Sequence, residues 1–228
     1  LEFRRVLFRS ERVQGRDLAA GKDPNAPAVP IIQHPDVRRM LLEMKAYVDG
    51  MRSFVHYVGQ CIEREALATS EEERSFYKGF SDLLTPLVKA YCAQRGFDQC
   101  VQAVQVYGGY RYITEYPVEQ LVRDCKITSI YEGTDGIQAM DLLGRKLGMA
   151  KGQVFINFLG EIQKTVALAK EAGGLDEITA EVEKATNRLG EVAMHLGTTA
   201  MSEKLKVAFA AAFPFLEVMG DVIMAWML

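Results

Sequence analysis

The sequence predicts an all-α protein built as an up-down helical bundle, and three observations carry that prediction. Leu41, Met44, Val48, Met51, Val55, Val58 and Ile62 alternate three- and four-residue spacing, which lays one apolar stripe along a long helix packed at a shallow angle. Ser70-Glu71-Glu72-Glu73 has the form of a capping box, with Glu73 reaching back to Ser70, ahead of a buried face made by Phe76, Phe80, Leu83 and Leu84. Residues 153–171 and 176–196 read as two amphipathic helices parted by Gly173-Gly174, with Asp176 as the cap of the second.

At 228 residues the chain is long enough to bury one sizeable helical core or two smaller ones. A composition of 25% charged and 49% hydrophobic residues is that of an ordinary globular protein, and a net charge of −3 offers no general attraction to nucleic acid. Cys61, Cys92, Cys100 and Cys125 show no CxxC spacing, so neither a zinc knuckle nor a disulfide framework is indicated, and reduced, mostly buried thiols of a cytoplasmic protein are expected.

Taken in order, the first ten residues, LEFRRVLFRS, open without methionine and lead into no pattern of their own, so residues 1–10 are expected to be translated vector or adaptor sequence. Residues 11–18 read as the end of a helix, and 21–30, with three prolines, as a loop. Pro35 and Asp36 suit the first turn of the long helix. His34 and His56 lie in this region without a carboxylate or histidine at ligand spacing, and both read as structural. Pro86 either kinks the second helix or restarts it, and Gly96 breaks the run again before Phe97, Cys100, Val101 and Val104.

The chemistry concentrates between Gln105 and Gln138. A Gly108-Gly109 turn follows an apolar run, a polar loop enters a short helix at Pro117, and the loop Tyr131-Glu132-Gly133-Thr134 opens another helix. Glu132 stands between an aromatic ring and a glycine, where shelter from water raises a carboxylate toward a usable base and the glycine admits a ligand. Spacing alone favours the plainer reading, a solvated acid placed where the next helix dipole favours negative charge. The glycine pair is a C-terminal cap, or a place where backbone approaches a ligand closely, with Gln105 adding an amide. Thr134 suits an N-cap, and the unpaired N–H groups beyond it suit an anion such as a dinucleotide pyrophosphate.

Four segments in one order carry a resemblance: Tyr107-Gly108-Gly109, Glu115 to Gln120, Arg123-Asp124-Cys125-Lys126-Ile127, and Tyr131-Glu132-Gly133-Thr134-Asp135-Gly136-Ile137-Gln138. Together they resemble the C-terminal signature of the acyl-CoA dehydrogenases. The resemblance implies that residues 11–148 form that family's C-terminal helical domain, with its N-terminal α and middle β domains absent. It implies FAD as cofactor and an acyl-CoA thioester as substrate, with Glu132 taking the α-proton while a β-hydride passes to the flavin. Tyr131 would line the acyl pocket, Gly133 would leave room for it, and the Glu132 backbone N–H would bind the thioester carbonyl.

Gln105, Gly108 and Gly109 match a segment that in the family touches the flavin dinucleotide of a neighbouring subunit, and Thr134 and Gly136 match further cofactor contacts. Arg12-Val13-Gln14-Gly15 stands in the place of a segment whose arginine contacts the cofactor phosphates, although its usual phenylalanine is missing. Arg111 replaces a common glycine, and Gly136 a usually polar residue. Arg111 either crowds the site or supplies a phosphate contact. The resemblance also implies a homodimer or dimer of dimers, and an electron-transfer flavoprotein as acceptor. A fragment of this kind is expected to bind flavin weakly and not to turn over.

The residues after the signature resemble the larger type with an added C-terminal helical domain, here 149–228, of which bacterial 3-(methylthio)propanoyl-CoA dehydrogenases are examples. Met201 to Leu228 is apolar but interrupted by Lys206, Pro214, Glu217 and Asp221, so no segment reaches the roughly 20 apolar residues of a membrane span. The last helix reaches Leu228 with no stop signal, and truncation there is expected.

Two other classes compete. A structural or interaction protein would keep the bundle without catalysis, against which the intact Glu132, Gly133 and Thr134 argue. A di-iron bundle needs Glu-x-x-His on each of two helices, and none of the three histidines has a glutamate three residues before it, so no metal is expected.

Overall fold

A computed structural model describes residues 12–109 and 112–228; residues 1–10 and Arg111 lie outside the described residues. Eight α-helices and one small hairpin make up the described fold: β1 (Val13–Arg16), β2 (Ala28–Pro30), α1 (Pro35–Leu67), α2 (Glu71–Tyr107), α3 (Val118–Lys126), α4 (Asp135–Asp141), α5 (Gln153–Ala172), α6 (Asp176–Ala200), α7 (Leu205–Ala210) and α8 (Ala212–Met227).

Residues 13–16 do not end a helix. They form a strand antiparallel to β2, with Val13 opposite Pro30 and Arg16 opposite Ala28. Gly15 at φ +76° is incompatible with α-helix, and the Ile31 N–H donates to the Arg12 carbonyl at 2.9 Å, closing the hairpin. Asp17 then caps a short 3-10 turn over Leu18–Ala20.

Pro35 begins α1 as expected, because its fixed φ suits the first helical turn and its missing N–H has no partner to lose there. Along the 33 residues of α1, however, the buried side is Met40, Leu41, Met44, Phe54, Val58 and Cys61, while Val55 and Ile62 are 47% and 56% exposed. A seven-residue apolar repeat drifts about 20° per heptad against a straight α-helix, so a stripe that starts on the core walks off it. Phe54 takes the place that Val55 leaves.

Ser70 caps α2, accepting from the Glu73 N–H at 3.1 Å; the return arm of the box goes one residue further back, with Thr69 N–H donating to Glu73 at 3.4 Å. The helix then runs 37 residues without a break. Pro86 and Gly96 cost about 3 and 1 kcal/mol in a helix interior. Burial decides against both: Phe80, Leu83, Leu84, Leu87, Ala90 and Tyr91 on this helix are at most 1% exposed.

A three-residue connection folds α2 back along α1, and 173–175 do the same for α5 and α6, giving the up-down arrangement. Asp176 lies inside the first turn of α6, where it meets the helix dipole; the cap itself is Leu175, without a side-chain bond. After α4 the chain makes a π-helical turn over Leu142–Lys146, burying Leu142 and Leu143, then reverses through Ala150 and Lys151 in left-handed conformation.

One apolar cluster draws on Phe54, Phe80, Leu84, Leu142, Phe158, Ile162, Leu189, Leu216 and Met219, so the residues after 148 share a core with α1, α2 and α4. A smaller cluster of Ile31, Met40, Met44, Ala103 and Val106 sits under the hairpin and the carboxyl end of α2. Among the described residues, no helix is long and apolar enough to cross a membrane.

Candidate active site

Two groups of sequence-predicted residues take shape on the bundle. The first lies at the carboxyl end of α2. Gly108 sits at φ +68° and its N–H donates to the Val104 carbonyl at 2.9 Å, ending the helix in a conformation that glycine adopts without strain. The Arg12 guanidinium donates to the Tyr107 carbonyl and, at 2.8 Å, to the Gln14 amide oxygen. A Cβ on Gly108 would stand 3.4 Å from that guanidinium. Arg12 and the Gly-Gly turn, 96 residues apart, are therefore neighbours. Gln105 is exposed beside them, and Gly109 has open space where a side chain would go.

The second group is the loop after α3. Thr128 Oγ1 donates to the Cys125 carbonyl at 2.6 Å and Ser129 Oγ to the Lys126 carbonyl at 3.0 Å, closing the helix end, and the chain turns through Ile127–Ser129. The Tyr131 N–H donates to the Ile127 carbonyl at 3.1 Å. Glu132 and Gly133 then both take positive φ, 53° and 94°. For a glutamate this is a strained backbone, of a kind that costs roughly 1–3 kcal/mol and collects at functional loops. Thr134 Oγ1 accepts from the Ile137 N–H at 3.3 Å and starts α4, so the N-cap expected from sequence is present.

Gly133 stands where a side chain is strained: its φ of 94° disfavours any other residue, and a Cβ would stand 2.8 Å from the Gln138 amide nitrogen, which would have to swing aside. Gly136, by contrast, has only Thr134 Oγ1 at 3.9 Å near its missing Cβ. Asp135 pairs with Lys89 of α2 at 3.4 Å, and burial raises its carboxyl above the usual Asp value despite the lowering effect of Lys89 and Lys126. Lys89 lies 18 positions before Tyr107, so the Asp135 end of the loop stands roughly 27 Å from the Gly-Gly turn along the α2 axis, whereas its Cys125 end lies against Cys100.

Glu132 differs from the sheltered base expected from sequence. It is exposed, as is Tyr131, because no element among the described residues covers the loop. Ile127, Ile130, Tyr131, Ile137 and Met140 are each about half exposed, so the loop stands amid uncovered apolar surface. Among the described residues, no three His, Cys, Asp or Glu are grouped to hold a metal ion.

Sequence reasoning missed the Lys89–Asp135 pair as a support of this loop. The available signal for Lys89 was a lysine on an otherwise apolar helix stretch, Leu87-Val88-Lys89-Ala90.

Residues 10–147 match the family model described as acyl-CoA dehydrogenase, C-terminal domain. The chain belongs to the acyl-CoA dehydrogenase family. Residues 158–228 match a second model, acetyl-CoA dehydrogenase C-terminal like. The chain is 36% identical over 204 residues to a butyryl-CoA dehydrogenase of Syntrophomonas wolfei, covering 89% of this chain and 33% of the relative. It is 36% identical over 224 residues to the 3-methylmercaptopropionyl-CoA dehydrogenase of Ruegeria pomeroyi, covering 98% of this chain and 37% of the relative. It thus spans about a third of the length of these curated relatives. The crystal structure of an acyl-CoA dehydrogenase complexed with FAD from Bacillus anthracis has the same fold, with a TM-score of 0.69 and 18% identity over 96% of this chain and 37% of that one.

Proposed function

We propose that this acyl-CoA dehydrogenase chain forms part of an FAD-dependent enzyme that converts an acyl-CoA thioester to its 2,3-enoyl-CoA, with Glu132 as the base. The observation that carries the reading is the backbone at Glu132: a glutamate held at φ 53° on a loop tied at both ends, followed by a glycine at φ 94°. Strain at a defended loop points to a carboxylate whose direction matters.

The residues present fit the cofactor that the family implies. A flavin ring and an acyl chain would cover the exposed Ile130, Tyr131, Ile137 and Met140 around the base loop. Thr134 and Gly136 would meet the cofactor at the start of α4. Arg12, Gln105, Gly108 and Gly109 would meet a dinucleotide at the other end, which in the family is that of a neighbouring subunit; the assembly is then a homodimer or dimer of dimers. When bound, FAD supplies the hydride acceptor for the β-carbon.

Glu132 carries out the proton half of the reaction. Its carboxylate takes the α-proton, and its backbone N–H donates to the thioester carbonyl oxygen on which enolate charge develops. Tyr131 walls the acyl pocket. An acyl chain bound over Tyr131 would exclude the water that now reaches Glu132. Electrons leave to an electron-transfer flavoprotein. For the acyl group, we propose 3-(methylthio)propanoyl-CoA, on the likeness to the Ruegeria pomeroyi enzyme; the similar likeness to a butyryl-CoA dehydrogenase makes butyryl-CoA the comparison.

The test is anaerobic titration of the complete protein and its Glu132→Gln variant with both thioesters, following flavin absorbance. Bleaching in wild type and none in a flavin-loaded variant is expected. Flavin that no acyl-CoA bleaches in wild type would leave a non-catalytic helical relative as the better account.

A further inference from the structure

The cysteines carry an inference that the dehydrogenase reading does not use. Cys100 on α2 and Cys125 at the end of α3 are 25 positions apart in sequence, yet their sulfurs lie 3.3 Å from each other. A disulfide needs a sulfur separation of about 2.05 Å, so bonding requires a closing movement of roughly 1.3 Å, within reach of side-chain rotation. The helices that present the two thiols are clamped: Lys126 sets its ammonium 4.9 Å over the Phe97 ring, and Thr128 binds the Cys125 carbonyl. Both cysteines are half-buried, so a small reagent reaches them with little opening.

The other two thiols differ. Cys61 is 2% exposed beside Tyr57, and burial pushes the Cys92 thiol up to about 12. Neither has a cysteine partner at bonding distance among the described residues.

We propose that Cys100 and Cys125 form a redox-modification site, a dithiol that a low-molecular-weight disulfide of the glutathione type oxidises to an intramolecular disulfide. One thiolate attacks a sulfur of glutathione disulfide, forming a mixed disulfide and releasing one glutathione thiolate. The second thiolate then attacks the protein-side sulfur, forming the Cys100–Cys125 bond and releasing the second glutathione. Two protein S–H bonds are exchanged for one S–S bond, and the two protons and two electrons end on two glutathione molecules. The bond would tie α3 to α2 five residues ahead of the turn into Tyr131 and Glu132, so oxidation would fix the approach to the base loop.

The experiment equilibrates the complete protein with reduced and oxidised glutathione in varied ratio, quenches with acid, alkylates remaining thiols and maps tryptic peptides. A species joining residues 96–111 to 124–126 is expected, with the two alkylated forms disappearing together. The ratio of linked to reduced protein should rise in proportion to oxidised glutathione divided by the square of reduced glutathione, as the exchange with two glutathiones requires. Peptides bearing Cys61 and Cys92 should stay alkylated. In Cys125→Ser the linked species should vanish and Cys100 should end as a glutathione mixed disulfide. The proposal is overturned if wild type stops at mixed disulfides, or if both cysteines remain alkylated in oxidised glutathione alone. The readout is covalent linkage, so it stands or fails independently of turnover.

Discussion

Lys89 Nζ lies 3.4 Å from the Asp135 carboxylate, and with side chains only 21% and 13% exposed the pair joins the middle of α2 to the first turn after the base loop. Removing Lys89 alone leaves a largely buried carboxylate without its cation. Breaking a fully buried pair costs 3–5 kcal/mol; with residual solvent access, Lys89→Met should cost about 1–3 kcal/mol. The double variant Lys89→Met, Asp135→Asn should recover part of that loss, because no uncompensated charge remains. Urea denaturation of the four proteins in the cycle measures both.

The same pair gives a pH dependence with a definite sign. Burial raises the Asp135 carboxyl above its ordinary 3.8, and Lys89 offsets this only in part. A carboxyl raised on folding binds protons more tightly in the native state. Its contribution is fully present below 3.8 and is lost as pH rises through the folded value. The stability of wild type relative to Asp135→Asn should therefore fall on going upward from about pH 3 and level off once Asp135 is ionised. Parallel denaturation curves of the two proteins across that range check it, since all other carboxyls cancel in the difference.

Gly133 and Gly136 are three residues apart and should answer differently to the same change. Gly133→Ala forces a side chain onto a φ of +94° and within 2.8 Å of the Gln138 amide, which should cost about 1–2 kcal/mol and displace the loop. Gly136→Ala meets open space on a helix and should be neutral or stabilising by up to about 1 kcal/mol. Thermal unfolding of the two variants separates a backbone demand from a cofactor contact: loss of flavin by Gly136→Ala with intact stability would mark the latter.

How far the sequence could be read depended on whether a feature was local. The caps at Ser70 and Thr134, the entry at Pro35 and the turn at Gly108 each follow from a few adjacent residues, and each was legible. The continuity of α2 through Pro86 and Gly96 was not, since helix propensity argued for breaks and tertiary burial overrode it. The β1–β2 hairpin was missed because its pairing joins Val13 to Pro30 across a loop. At the site, the loop was legible from its motif, but the support from Lys89 and the approach of Arg12 to Gly108 are contacts that only folding creates.

The approach of Arg12 to the end of α2 should matter to local stability through the geometry of its fork. Its guanidinium serves the Tyr107 carbonyl and the Gln14 side chain at once, tying the hairpin to the helix end. Lysine offers a point charge without two fixed donor directions, so Arg12→Lys should keep the favourable charge at the helix C-terminus yet lose about 1 kcal/mol. Arg12→Ala should lose somewhat more. Hydrogen exchange at the last turn of α2 and in β1 should report the loosening while the core amides around Leu84 stay protected.

Gly220 and Tyr91 set the tightest demand in the shared core. A Cβ at Gly220 would fall 2.1 Å from the Tyr91 ring, so α8 approaches α2 as closely as it does only because residue 220 has no side chain. The ring is itself held, because the Tyr91 hydroxyl donates to Asp221 at 2.6 Å and Arg95 closes on the same carboxylate at 3.4 Å. Gly220→Ala should therefore cost about 1–3 kcal/mol, or more where the ring cannot swing aside. Tyr91→Phe keeps the clash and loses the hydroxyl bond, so with Gly220→Ala it should bring no relief. Tyr91→Ala opens a cavity and should cost 3–5 kcal/mol alone, yet it gives the new methyl room. The Gly220→Ala penalty should then shrink in the Tyr91→Ala background but not in Tyr91→Phe. Equal penalties in both backgrounds would mean that the helices separate instead, and that Tyr91 does not set the contact.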